Sequence, residues 1–388
     1  MQDLNELAKY YNLGLIEYNN GNFNHALNYF NKAVQMRFEY VPAVQMKALC
    51  LFKLGDFQSA AEEATSAVIY EPGSAKAHFI KGFCDYKAGN IYQAINSLKK
   101  SLKLDKSNVY NNVLLGVIYS KMNESKKALS ELEKAYDKEK SDYISFIYAK
   151  LLIETGNNKG LEILKSTSVY PPARFLLAKN IFNSDPAAAE KMFVKLLKTK
   201  SYRQQSMYYL GLIYFKKRFF NKAAGLFARL SINTKNKINY FYRAAQAFYL
   251  CKEYSSGLEF LDYADKLCGL SKRDVELEAK VLKLKIKTLL KSKTKREDLL
   301  VAVKRLEYLS KSGEYSFFIE KSYIRLYKKF HSKSDFKNAL YLRKTRGKTL
   351  TGTIYSNYSG KLRKWVLISG IIVILILILW EILVLFQK

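Results

Sequence analysis

The sequence predicts an all-α superhelical solenoid of antiparallel helix hairpins, followed by one C-terminal transmembrane helix. Three observations carry that prediction. Columns of small and apolar residues repeat every 34 positions, apolar residues within each repeat follow the helical period, and a long apolar run lies at 365–386. The first column is Ala26, Ala60, Ala94 and Ala128; a second is Gly14, Ala48, Gly82 and Gly116. A third holds Gly21, Gly55 and Gly89, with Asn123 in the fourth place, and a fourth holds Phe30, Ala64, Leu98 and Leu132. A fixed period of this length marks stacked supersecondary units, which build long concave surfaces for other macromolecules.

Within a unit, Tyr10, Leu13 and Gly14, then Ala26, Leu27, Phe30 and Ala33, recur at three and four, one helix face twice over. Gly21, Gly55, Gly89 and Asn123 mark the break between the two helices, because Gly and Asn accept positive φ and let the chain fold back. The small columns predict close contact. Gly14, Ala48, Gly82 and Gly116 on the first helix face Ala26, Ala60, Ala94 and Ala128 on the second, with Phe30 or Leu98 in the adjacent groove. Nothing shows sustained period-two alternation, so strands are not expected.

These residues resemble the tetratricopeptide repeat (TPR) family, with four units in register over 7–142 and Pro72 where the family often ends its second helix. Met207, Leu210, Gly211, Tyr214, Ala223 and Phe227 resemble a further unit over 204–237; Phe241, Ala244, Ala245, Phe248, Gly257, Leu261 and Ala264 resemble the next over 238–271. Tyr323, Tyr327, Phe336 and Ala339 resemble a late, diverged one. The expected organisation is four regular units over 1–142, degenerate hairpins over 143–203 interrupted by Pro171, Pro172 and Pro186, and two regular units over 204–271. Diverged basic hairpins over 272–346, a basic Gly/Thr/Ser-bearing linker over 347–364 and the transmembrane helix over 365–386 follow.

The resemblance implies that the first helix of each hairpin lines an inner groove. Its columns hold Tyr11, Leu15 and Tyr18, then Met46, Leu49 and Phe52, then Phe79, Ile80, Phe83 and Tyr86, then Val113, Leu114 and Val117. An aromatic and aliphatic lining suits an extended apolar peptide or one face of a helix. The competing reading is that these side chains pack on neighbouring hairpins. Later units offer Tyr208, Tyr209, Leu212 and Phe215, then Tyr242, Arg243, Gln246 and Tyr249, a more polar lining suited to an acidic or phosphorylated segment. Family members that clamp acidic chaperone tails do so with Lys, Asn, Asn, Lys and Arg. Here those places hold Tyr11, Leu15, Met46, Lys76 and Ile80, so only Lys76 fits and that mode is not expected.

The net charge of +31 is uneven. Residues 1–142 carry 18 Lys/Arg and 16 Asp/Glu, a net of +2, whereas 143–388 carry 47 and 18, a net of +29. Attraction to an anionic membrane surface, an acidic protein partner, or plain compositional drift would each account for it. Cys50, Cys84, Cys251 and Cys268 lack metal-ligand spacing and read as small buried apolar residues; a Cys50–Cys84 bridge stays open, since those two lie one repeat apart.

The run at 365–386 would span about 33 Å as a helix, enough for a roughly 30 Å hydrocarbon core. Its one charge is Glu381, and Trp365 and Trp380 are placed as interfacial residues. Arg343, Lys344, Arg346, Lys348, Lys361, Arg363 and Lys364 precede it and form the expected membrane-surface basic cluster, while only Lys388 follows. The positive-inside rule then gives a single-pass, tail-anchored protein with its repeats in the cytoplasm, in keeping with an N-terminus that lacks a signal-peptide pattern.

His25, His78 and His331 stand alone, and His78 shares a column with Tyr10 and Val44, so it reads as a packing residue. No phosphate loop, nucleophile elbow or paired-carboxylate pattern is present, so no catalysis, cofactor, metal or small-molecule substrate is expected. The leading expectation is a membrane-tethered scaffold binding protein partners. Two other classes compete: a structural subunit of an envelope machine, such as a secretion system or flagellar motor, and an RNA-binding helical repeat. The apolar groove and strict step argue against RNA.

Overall fold

The computed structural model describes residues 2–233, 238–270, 274–310 and 314–342. They are helical throughout, with no strand among the described residues. The chain divides into two compact units, Met1–Arg203 and Gln204–Lys388.

The first unit is a row of six hairpins: α1 (Gln2–Asn19) with α2 (Phe23–Met36), α3 (Val41–Leu54) with α4 (Phe57–Tyr70), α5 (Ala75–Ala88) with α6 (Ile91–Leu104), α7 (Val109–Lys121) with α8 (Ser125–Lys138), α9 (Asp142–Glu154) with α10 (Lys159–Ser166), and α11 (Pro171–Ile181) with α12 (Pro186–Leu196). Each helix packs on its neighbours in sequence. The odd-numbered helices also meet one another directly, α3 on α5, α5 on α7, α7 on α9 and α9 on α11. The row is therefore tighter on the odd side, which makes the odd helices its inner wall.

The repeat columns explain the contacts. A Cβ placed on Gly14 would fall 2.6 Å from the Phe30 ring, one on Gly82 2.7 Å from Cγ of Leu98, and one on Gly116 2.5 Å from Cγ of Leu132. The volumes compensate: where the glycine column holds Ala48, the column of Phe30, Leu98 and Leu132 holds Ala64, and the two share one cluster. Ala26, Ala60, Ala94 and Ala128 are fully buried. Burying Phe30, Leu98 and Leu132 contributes about 1.5–3 kcal/mol each relative to exposure.

Gly21, Gly55, Gly89 and Asn123 have φ of 83°, 89°, 91° and 60°, the left-handed conformation that ends a first helix. The amides of Gly55 and Asp56 donate to the Phe52 and Leu51 carbonyls at 3.2 and 3.0 Å. Asp56 then caps α4, its Oδ1 accepting from the Ser59 amide at 3.1 Å. Pro72 follows α4 closely, and its carbonyl lies 2.9 Å from His78 Nε2, which anchors the buried imidazole.

Over 143–203 the register slips for a visible reason. Gly156, with φ 79°, follows Asn123 by 33 residues, one short of the step. The tight contact changes sides as well: the glycine now lies on the second helix, where a Cβ on Gly160 would fall 2.6 Å from the Ala149 carbonyl oxygen. Pro171, Pro172 and Pro186 begin α11 and α12 rather than interrupting helices. The first helical turn is where a missing amide costs nothing and a fixed φ helps.

The second unit holds α13 (Arg203–Lys216) with α14 (Phe220–Asn233), α15 (Ile238–Leu250) with α16 (Tyr254–Leu270), α17 (Val275–Lys291) with α18 (Arg296–Leu309), and α19 (Ser316–Phe330), followed by a helical stretch α20 (333–342). Gly211 repeats the close approach, its added Cβ falling 2.8 Å from the Phe227 ring. Tyr323 and Ala339 are buried in one cluster with α17 and α18 residues, and Tyr327 and Phe336 hold their rings 5.0 Å apart. Several of this unit's basic residues are committed internally. Arg305 on α18 donates to Asp265 of α16 and Glu278 of α17 at 2.8 and 2.5 Å, and Lys285 reaches Asp262 and Asp265 at 2.9 and 2.8 Å.

The single-pass membrane localisation is corrected. Among the described residues no helix is long and apolar enough to cross a membrane. The run at 365–386, the linker at 347–364 and the basic residues Arg343, Lys344, Arg346, Lys348, Lys361, Arg363 and Lys364 lie outside the described residues.

Candidate protein-binding groove

The candidate groove of the first unit is built on its odd helices. Each is packed by its own partner helix and by the hairpins on either side, so only a narrow stripe is left to face outward. Leu15, Leu49, Phe83 and Val117 occupy equivalent places on α1, α3, α5 and α7, and all four are half-buried. Tyr11, Tyr18, Met46, Phe52, Phe79 and Leu114 flank them in the same state. Aromatic contacts lock part of the stripe. The Phe52 and Phe83 rings, one repeat apart, lie 4.4 Å between centroids at 31°. Phe52 also meets Phe57 at 5.3 Å, Tyr11 meets Phe30 and Tyr40 at 5.8 and 5.5 Å, and Tyr18 meets Phe23 at 5.4 Å. Burial pushes the hydroxyls of Tyr11 and Tyr18 above their ordinary value, so both stay neutral in the physiological range.

Three expected lining residues are core instead. Ile80 and Val113 are each 4% exposed and Tyr86 is 9% exposed. Ile80 is packed with Ala48, Ala60 and Cys84, and Val113 and Tyr86 lie in the large cluster running from α5 to α11. Neighbouring hairpins close over these sides of α5 and α7, the competing reading made real at three positions.

The polar lining of the second unit is held by its own partners. Arg243 donates from Nη1 to Gln246 Oε1 at 3.1 Å, and Gln246 Nε2 donates to the Tyr242 hydroxyl at 3.2 Å. Tyr208 packs on Tyr209, Phe227 and Tyr240 at 5.7, 6.1 and 5.6 Å, and Phe215 on Phe220 at 5.5 Å. Burial raises the hydroxyls of Tyr209 and Tyr242. A separate concavity of about 520 Å³ lies elsewhere in this unit, lined by Phe241, Phe260, Tyr263 and Leu267 with Glu259 and Lys266 among its walls.

One column beside the first unit's candidate groove escaped sequence reasoning although its signal was in plain view. Lys53, Lys87 and Lys121 stand 34 residues apart in the last turns of α3, α5 and α7, and all are exposed. The cysteines are free; Cys50, Cys84 and Cys268 are buried and Cys251 is half-exposed. Among the described residues no group of three or more His, Cys, Asp or Glu is placed to hold a metal ion.

Stacked antiparallel hairpins, close Gly/Ala contacts inside them and a left-handed turn between helices are features this chain shares with TPR-like helical repeats. The family model for anaphase-promoting complex, cyclosome, subunit 3 matches residues 19–101. DnaJ homolog subfamily C member 7 from Mus musculus is 26% identical over 182 residues, covering 45% of this chain and 35% of that protein. Its Homo sapiens counterpart is 30% identical over 86 residues, covering 22% of this chain and 17% of that protein. The chain thus spans about a third or less of the curated relatives it matches. Among solved structures, a thermophilic TPR protein of Thermus thermophilus superposes with a TM-score of 0.39 at 20% identity, over 45% of this chain and 97% of that one.

Proposed function

We propose that the chain is a non-catalytic protein-interaction scaffold whose first unit takes an extended peptide, or one face of a helix, on the inner stripe of α1, α3, α5 and α7. The observation that carries this reading is the half-buried row Leu15, Leu49, Phe83 and Val117 with the Phe52–Phe83 ring pair at its centre. Large apolar side chains left part-exposed in a continuous row on an inner wall are costly in water, and a partner's apolar anchors remove that cost. A photo-crosslinking amino acid placed at Leu15 or Leu49 should capture discrete partners from cell extract. The same probe at Tyr92, exposed on the outer helix α6, should not. Equal capture from both faces would defeat the groove reading.

A further inference from the structure

The lysines at the rim of this groove specify its occupant. Lys53, Lys87 and Lys121 each stand four residues after a member of the half-buried row, Leu49, Phe83 and Val117, so helix geometry sets each ammonium beside that residue on the same face. Lys87 Nζ and Lys121 Nζ lie 5.9 and 4.8 Å from the centroid of the Tyr86 ring. The ammonium groups of Lys87 and Lys121 are thus no more than about 11 Å apart, a separation that one three-residue turn of polyproline II chain, about 9 Å at 3.1 Å per residue, can match.

Among the described residues no carboxylate pairs with any of the three. The contrast lies six residues upstream in the same helices. Lys47 and Lys81 also stand one repeat apart, yet Lys47 is paired with Glu63 at 2.6 Å and Lys81 with Asp85 at 2.8 Å. The repeat neutralises one lysine column and leaves the other, on the groove, without a counter-ion. The run also has ends: Asn19 takes the place in α1, and the last residue of α9 is Glu154, which reaches Lys150 at 3.8 Å.

We propose that the groove takes a protein segment in polyproline II conformation, in which a carboxylate recurs at every third residue among apolar ones and so falls on one edge of the segment. The carboxylates engage Lys53, Lys87 and Lys121, and the apolar side chains lie on Leu49, Phe83 and Val117. This rests on the groove reading above and adds the occupant's charge and spacing. The row offers one aromatic among three residues, so it favours aliphatic and aromatic side chains of a peptide over the successive base stacking of a nucleic acid. Glu154 closes the acidic register to three repeats.

The test uses the full chain and a fluorescent peptide of four Leu-Phe-Glu repeats, with matched peptides carrying Gln or Lys for Glu. The acidic peptide should bind at least tenfold more tightly than the Gln peptide, with a preference that fades at high ionic strength. Each of Lys53→Gln, Lys87→Gln and Lys121→Gln should weaken it about threefold, as expected for rim charges. The triple variant should bind both peptides alike. A last-turn lysine also complements its helix dipole, so thermal unfolding is followed in parallel; a purely dipolar role would lower Tm and leave the peptide preference intact. Persistence of the preference in the triple variant, or equal binding of the Lys peptide, overturns the proposal. So does displacement of the acidic peptide by oligouridylate at lower concentration than by the peptide itself. Phe83→Ser separates the two readings. If it abolishes binding of the Gln peptide while the lysine variants change nothing, the groove stands and the ladder falls. If Phe83→Ser changes nothing, the groove itself falls.

Discussion

Arg296 clasps Asp335 through two bonds, Nη2 to Oδ1 at 2.6 Å and Nε to Oδ2 at 2.9 Å, and the Asp335 side chain is fully buried. The pair ties α18 to α20 across 39 residues of sequence. Asp335→Asn keeps the shape but removes the charge and one acceptor, and it should cost about 1.5–3 kcal/mol. Hydrogen exchange of the α18 and α20 amides should speed up accordingly. Unchanged protection would show that the apolar cluster around Leu326 and Ala339 holds α20 without help.

The compensated columns predict a coupled pair. Gly116→Ala puts a methyl 2.5 Å from Leu132 Cγ and should cost about 1–3 kcal/mol by overpacking. Leu132→Ala should cost about 2–5 kcal/mol by leaving a cavity. The double variant recreates the Ala48–Ala64 arrangement of the second hairpin and should be more stable than the sum of the two losses implies, by about 1 kcal/mol or more. Denaturant midpoints of the four proteins of the cycle measure this; additivity would refute the volume argument.

Arg218 and Lys252 take φ of 62° and 68° in the turn places that Gly21, Gly55 and Gly89 hold in the first unit. Non-glycine residues pay roughly 1–2 kcal/mol there. Arg218→Gly should therefore raise stability by up to about 1 kcal/mol, despite glycine's usual entropic cost. Gly55→Ala, where nothing lies within 4 Å of an added Cβ, should lower it by a similar amount through backbone strain alone. Melting temperatures of the two variants should move in opposite directions.

Burial pushes the thiols of Cys50 and Cys84 from 9.0 up to about 12. In the unfolded chain they ionise near 9; in the folded unit they hold their protons to about 12. Their contribution to stability is thus complete below pH 9 and disappears as pH rises toward 12. Urea midpoints should fall across that window, and the Cys50→Ala/Cys84→Ala protein should show a shallower fall. Tyr148, raised from 10.0 to about 12, retains part of the slope. At neutral pH, iodoacetamide should reach half-exposed Cys251 first and Cys50 and Cys84 only after unfolding.

The hairpin architecture was legible because it rests on local, periodic constraints: a small residue where helices touch, a large one opposite, and Gly or Asn where the chain reverses. Arg218 and Lys252 were not, since nothing in their chemistry announces a left-handed backbone. The candidate groove was legible only in part. The α7 sequence VYNNVLLGVIYSK is apolar on most sides, so periodicity alone does not tell Val113, which is buried, from Leu114, which is half-exposed. The ties of Arg305 to Glu278 and Asp265 span 27 and 40 residues and involve no motif, so the sequence does not announce which basic residues are held by internal carboxylates.

In the first, third and fourth hairpins the glycine and its large neighbour, Gly14 with Phe30, Gly82 with Leu98 and Gly116 with Leu132, belong to the same hairpin. Each hairpin therefore carries both halves of its own key. Whole hairpins are the pieces that can be copied, dropped or traded between such arrays without a clash, whereas a transplanted single helix would arrive with the wrong half.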